Sequence, residues 1–176
     1  QEDAAAYVWL PIIHTAIYSL SQGDMTYLAD GHLRDAARLA MVVIDNRGYQ
    51  GAFGDHDGLR SFSAMAPVLR MALWHYRDPG LAWGVKLVGR DPTYTLGQDF
   101  NTTIEPLPPS DLVGASVVRT TKASYDLAAK SKLRAGRPNI PLGQTFDKLA
   151  LRGGWGENDE YLLLDGHGRG THMHQD

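Results

Sequence analysis

A proline cluster, Glu105-Pro106-Leu107-Pro108-Pro109-Ser110, divides the chain into two stretches of different periodicity. Each proline removes a backbone donor and pushes the residue before it out of the helical region, so neither a helix nor a central strand runs through this point. Whatever lies before it and whatever lies after it are separate elements.

Before the cluster the apolar residues recur at helical spacing. Val8, Ile12, Ala16 and Leu20, with Ile13 and Ile17 beside them, predict a helix from Asp3 to about Leu20, with Asp3 as its N-cap. A second pattern runs from about Asp30 through Leu33, Ala36, Ala37, Ala40, Val43 and Ile44, and Gly48 follows as a stop. A third, about Leu59 to Tyr76, carries Phe62, Met65, Leu69 and Leu73 on one face, with Pro67 kinking it or opening its regular part. Asp78-Pro79-Gly80 closes that segment, and a short helix follows over Leu81 to Val88.

After the cluster the runs are short and bounded by Gly, Asp or Asn: Leu112 to Thr121, Lys148 to Arg152 and Glu160 to Asp165. They have strand length. Helices followed by strands, without alternation, predict an α+β chain with a helical portion over 1–106, a linker at 107–111 and an antiparallel β portion over 112–176.

With 176 residues, of which 43% are hydrophobic, the chain can bury a core. Seventeen basic against twenty acidic residues give a net charge of −3, which favours neither a general nucleic-acid binder nor a polyacidic disordered chain. Cysteine is absent, so disulfides and thiolate metal sites are excluded and any metal must be held by His and carboxylates. Apolar runs such as Leu39 to Ile44 fall far short of the roughly 20 residues of a membrane helix. The opening QEDAAAYVWL has no leader-like pattern, and both ends read as cuts within a longer protein.

Several clusters carry candidate chemistry. His172-x-His174, in an extended segment, would set two imidazoles on one side of a strand, where zinc could take either or both; a solvated glycine-rich tail is the plain alternative. Arg47 to Gly58 is a glycine-rich loop between helices that holds Tyr49, His56 and two aspartates, and it lacks the Lys-Ser/Thr ending of a phosphate loop. Glu2-Asp3 with Tyr7 reads either as paired acids in a cleft or as a helix cap with favourable first-turn charge. Arg152-Gly153-Gly154-Trp155 and Tyr161 to Gly166 read as two paired strands with Trp155 closing over them. The basic strip from Arg119 to Arg137 lacks interleaved aromatics and reads as a solvated face.

Taken in order, QEDAAAY, the glycine-rich turn ending in FGD, the proline boundary, LALRGGW and YLLLDGHGRGTHMHQD resemble the heparinase II/III-like polysaccharide lyases, most strongly over Phe146 to Asp176. The resemblance implies the last helices of an incomplete α/α toroid followed by the first strands of an antiparallel β-sandwich. The charge balance and the short apolar runs point to no nucleic-acid or membrane partner, and the resemblance itself implies a secreted or periplasmic lyase that cleaves an acidic polysaccharide by β-elimination at a uronate. On that basis His172 faces the glycan as an acid/base and His174 holds a largely structural zinc. Tyr49 and His56 are proton-transfer candidates, and Glu2, Asp3, Tyr7 and Arg152 are substrate contacts. Two departures bear on activity: Glu2-Asp3 stands where many members have an Asn-His pair, and Phe53 to Asp57 where they have a catalytic Tyr. A catalytically silent glycan-binding relative and an unrelated helical protein with a metal-binding His tail are the alternatives, and the last predicts no sheet beyond Asp111.

Overall fold

The computed structural model describes residues 8–50, 65–89, 100–130 and 140–166, with backbone only over 127–130. Its order is α1 (Trp9–Ser21), α2 (Thr26–Ala29), α3 (His32–Val43), α4 (Met65–Tyr76), α5 (Pro79–Val88), β1 (Gly114–Arg119), α6 (Lys122–Lys130), β2 (Phe146–Arg152) and β3 (Tyr161–Asp165). The fold is α+β, helices first and then a small antiparallel sheet. The unrelated helical reading fails on its own prediction, because all three expected strands are present beyond Asp111.

The helical periods place the core. Trp9, Ile13 and Ala16 of α1 bury against Leu33, Ala37 and Ala40 of α3 and Met65, Val68, Leu69 and Ala72 of α4. Small residues let the helices approach closely: a Cβ on Gly84 of α5 would strike the Met41 side chain of α3. Pro67 lies in the first turn of α4, where a missing N–H costs nothing, so it opens the regular helix instead of kinking it. Asp78 caps α5, its carboxylate accepting from Gly80 N–H at 2.7 Å with Pro79 in the first turn.

The segment expected as a linker, 107–111, and the residues flanking it pack on the helices. Leu107 N–H donates to the Pro79 carbonyl at 3.1 Å, Leu112 is buried, and Phe100 meets Trp74 edge-on at 5.7 Å. One buried cluster therefore runs from α1 through Leu112 to Ala150 and Trp155. The part of the basic strip over 122–130 is α6, whose Lys122 and Asp126 pair one turn apart at 2.5 Å.

The sheet order is β1-β2-β3, all antiparallel, with Val117, Leu149 and Leu164 in one cross-strand row and Ala115, Leu151 and Leu162 in the next. This row pair forms the outer face, where Val117, Leu151, Leu162 and Leu164 are exposed. The inner face of β2 presents Lys148, Ala150 and Arg152, all buried. The usual polarity of a one-sided sheet is thus inverted along β2.

Candidate functional site at the helix–sheet junction

The inner face of the hairpin meets the C-terminus of α3, and Arg152 is the centre of the contact. A helix end leaves carbonyls without intrahelical partners and carries partial negative charge, so it accepts a cation well. Arg152 donates one arm to the Ile44 carbonyl at 2.7 Å and the other to Asn46 Oδ1. Its guanidinium lies 3.6 Å from the Trp155 ring centre and 4.4 Å from that of Tyr161. Burial holds its pKa below the usual arginine value, with Tyr161 and Asp45 opposing the shift.

Neighbouring groups close the same junction. Tyr161 donates its hydroxyl to the Val42 carbonyl at 2.7 Å, and burial raises its phenol well above the ordinary range. The Asn46 amide donates to the Gly156 and Asp159 carbonyls at 2.9 and 3.1 Å, and the Trp155 indole donates to Pro109 O at 2.9 Å. Helix end, hairpin turn and proline segment are tied to one another by hydrogen-bonded polar groups. Arg152, expected to contact substrate, is 3% exposed, and its donors are engaged by the protein's own acceptors.

Tyr49 belongs to the turn that leaves this junction. Asp45 accepts from the backbone of Arg47 and Tyr49, both at 2.8 Å, and its own N–H donates to Tyr49 O at 2.7 Å. Gly48 sits in this turn at φ 82°, against the Leu87 carbonyl of α5. The turn that holds Tyr49 through Asp45 is thus held at its start by Arg152 through Ile44 and Asn46. Glu2, Asp3, Tyr7, His56, His172 and His174 lie outside the described residues.

On the far side of α3 the junction opens to solvent as a groove. A cavity of about 310 Å³ lies between α3 and β1, and another of about 150 Å³ lies between α3, Tyr76 and residues 109–112. Asp35, Arg38 and Asp111 line both. Arg38 and Asp111 form the partition between them, paired at 2.6 Å with both side chains more than half exposed. Such a pair is worth at most about 1 kcal/mol, so a ligand with hydroxyls or an anionic group can replace it at little cost. In the smaller cavity Arg34 lies 4.3 Å over the Tyr76 ring. Tyr76 donates to Leu28 O at 2.5 Å and burial raises its pKa, so it serves as a fixed wall, not as a ready base.

No family model, curated protein or solved structure matches this chain. The site must be read from its own residues. Among the described residues no group of three or more His, Asp or Glu comes together to hold a metal ion, so the zinc expectation rests on His174 and partners outside them. The groove residues Arg34, Asp35, Arg38 and Asp111 were not singled out from the sequence. The available signal was the polar face of α3, opposite Leu33, Ala37 and Ala40, where Arg34 and Arg38 stand one turn apart.

Proposed function

We propose that this chain is the helix-to-sheet junction of a heparinase II/III-type polysaccharide lyase, the end of an α/α toroid running into a β-sandwich, and that an acidic glycan lies along the groove between α3 and β1. The groove's position carries the reading: a cleft of mixed charge lies where helices give way to strands, beside the LALRGGW hairpin that holds the strongest resemblance. Asp35 and Asp111 suit sugar hydroxyls, and Arg34 and Arg38 suit a carboxylate.

The reaction proposed is β-elimination. Neutralising the uronate carboxylate acidifies the C5 proton, a base removes that proton, and the C4 glycosidic oxygen leaves with a proton from an acid, giving an unsaturated sugar. His172 is proposed as the group facing C5 or the leaving oxygen, with Tyr49 and His56 as its proton-transfer partners and Glu2, Asp3 and Tyr7 lining the substrate. Arg152 acts from behind, as a positioning residue that fixes the turn bearing Tyr49. His174 is proposed to hold zinc, which supplies structural crosslinking.

Ultraviolet absorbance of unsaturated uronates, followed across acidic glycans, tests the reading. His172→Ala and Tyr49→Phe are expected to lower turnover by about 100-fold or more, and Arg38→Gln to raise KM with little change in kcat. Turnover unaffected by all three changes overturns the assignment. The second reading, a silent glycan-binding relative, is favoured by Glu2-Asp3, whose negative charge opposes a uronate. Glycan binding that is sensitive to Arg38→Gln, without any product, selects it.

A further inference from the structure

A second concavity lies on another face of the helical layer, between α4, α5 and the segment 100–102. It has a volume of about 260 Å³ and is lined by Arg70, Leu73, Val85, Lys86, Gly89 and residues 100–102. Its described lining contains two cations and no carboxylate. Among the described residues Arg70 has no anionic partner within ion-pair distance, although it is partly buried.

The polar and apolar parts of the lining are arranged for a small charged ligand. Phe100 is buried against Trp74 and forms an apolar floor, while Asn101 and Thr102 follow it with amide and hydroxyl groups. Lys86 stacks over Trp83 at 4.6 Å, which restrains its chain beside the opening. A third cation, Arg77, just past the end of α4, donates to Thr102 Oγ1 of the lining at 3.4 Å. Arg77 is in the left-handed region at φ 59°, alone among the described non-glycine residues. The sharp passage from α4 to α5 calls for that backbone and glycine would adopt it without strain, so the arginine side chain needs a separate reason.

We infer that this pocket binds the oxyanion of a small ligand, with Arg70 and Lys86 on the anion and Asn101 and Thr102 on its neutral polar groups. The volume limits the ligand to a small one, and two cations with no carboxylate among the described lining residues suit a carboxylate or a phosphate. Both sources share this chemistry. The inference does not depend on the glycan reading of the other groove.

The full chain is titrated with glucuronate, inorganic phosphate and glucose, and binding is followed by calorimetry and by tryptophan fluorescence. Glucuronate, phosphate or both are expected to bind, glucose not to bind, and affinity to fall as salt is raised. Tighter glucuronate identifies a sugar acid, and tighter phosphate identifies a phosphorylated ligand. Arg70→Gln and the surface change Lys86→Gln are each expected to raise Kd about tenfold or more, Arg70→Lys less, and Arg119→Gln on β1 not at all. Thermal melts establish that each variant is folded. Binding of neither anion, equal binding of glucose, or affinity unmoved in folded Lys86→Gln and Arg70→Gln overturns the inference.

Discussion

Arg152→Lys and Arg152→Met together measure what the buried guanidinium contributes. Lysine keeps the charge but offers a point donor in place of a fork, so it cannot serve both Ile44 O and Asn46 Oδ1 while lying flat between Trp155 and Tyr161. The loss is one charge-assisted bond, about 1.5–3 kcal/mol, and part of the ring contact, about 1 kcal/mol. Methionine removes the cation altogether and leaves both acceptors unpaired in a buried site, at about 1–3 kcal/mol each. Relief of the guanidinium's own desolvation returns part of this, which places the net change near 3–5 kcal/mol. That is a large fraction of the roughly 5–15 kcal/mol available to a domain, so the lysine variant supplies the graded measurement. Urea unfolding followed by tryptophan fluorescence is the assay, read as a shift in midpoint at constant slope. An Arg152→Met protein within 1 kcal/mol of the original would refute a stabilising clasp at the end of α3.

Alkaline pH tests the same junction through Tyr161. Burial raises its pKa in the folded state, so the unfolded chain ionises first; stability is fully present below about pH 10 and falls by up to about 1.4 kcal/mol per unit above it. Tyr161→Phe should cost about 1 kcal/mol at pH 8 by losing the bond to Val42 O, yet show a shallower decline from pH 10 to 11, as read from unfolding curves at each pH. Some slope should persist, because Tyr27 and Tyr76 are raised in the same direction. Gly48→Ala combines left-handed backbone with a Cβ driven into the Leu87 carbonyl, and should lower stability by about 2–4 kcal/mol. Gly23→Ala has similar backbone at φ 69° but open space around the new carbon, and should cost only about 1 kcal/mol; melting temperatures of the pair separate collision from strain.

The elements were legible where periodicity was strong. α3 follows from Leu33, Ala36, Ala37 and Ala40 at helical spacing, and the hairpin follows from LALRGGW and YLLLD between glycines. Less visible was α6, because over 122–130 a run of lysines and alanines has no strong apolar face to announce a helix. The candidate site was harder still, since its decisive pairs are distant in sequence. Arg152 meets Asn46 across 106 positions and Arg38 meets Asp111 across 73, and no local pattern encodes either. Arg152 stood out as a cation beside two glycines and a tryptophan, which is the same local appearance whether it faces a ligand or a helix end. Only the C-terminal carbonyls of α3 distinguish the two.

The inverted polarity of β2 bears on how the sheet finds its orientation. A shift of one residue in β2 would turn Leu149 and Leu151 inward and Lys148 and Arg152 outward, and apolar burial alone prefers that alternative. Directional bonds hold the native choice: Arg152 to the end of α3, and Lys148 to Asp147 and to its cross-strand partner Asp165 at 3.1 and 2.7 Å. The hairpin therefore carries half of its own folding instruction, and the other half is written at the end of α3. Without the α3 carbonyls, apolar burial would favour the leucine face of β2.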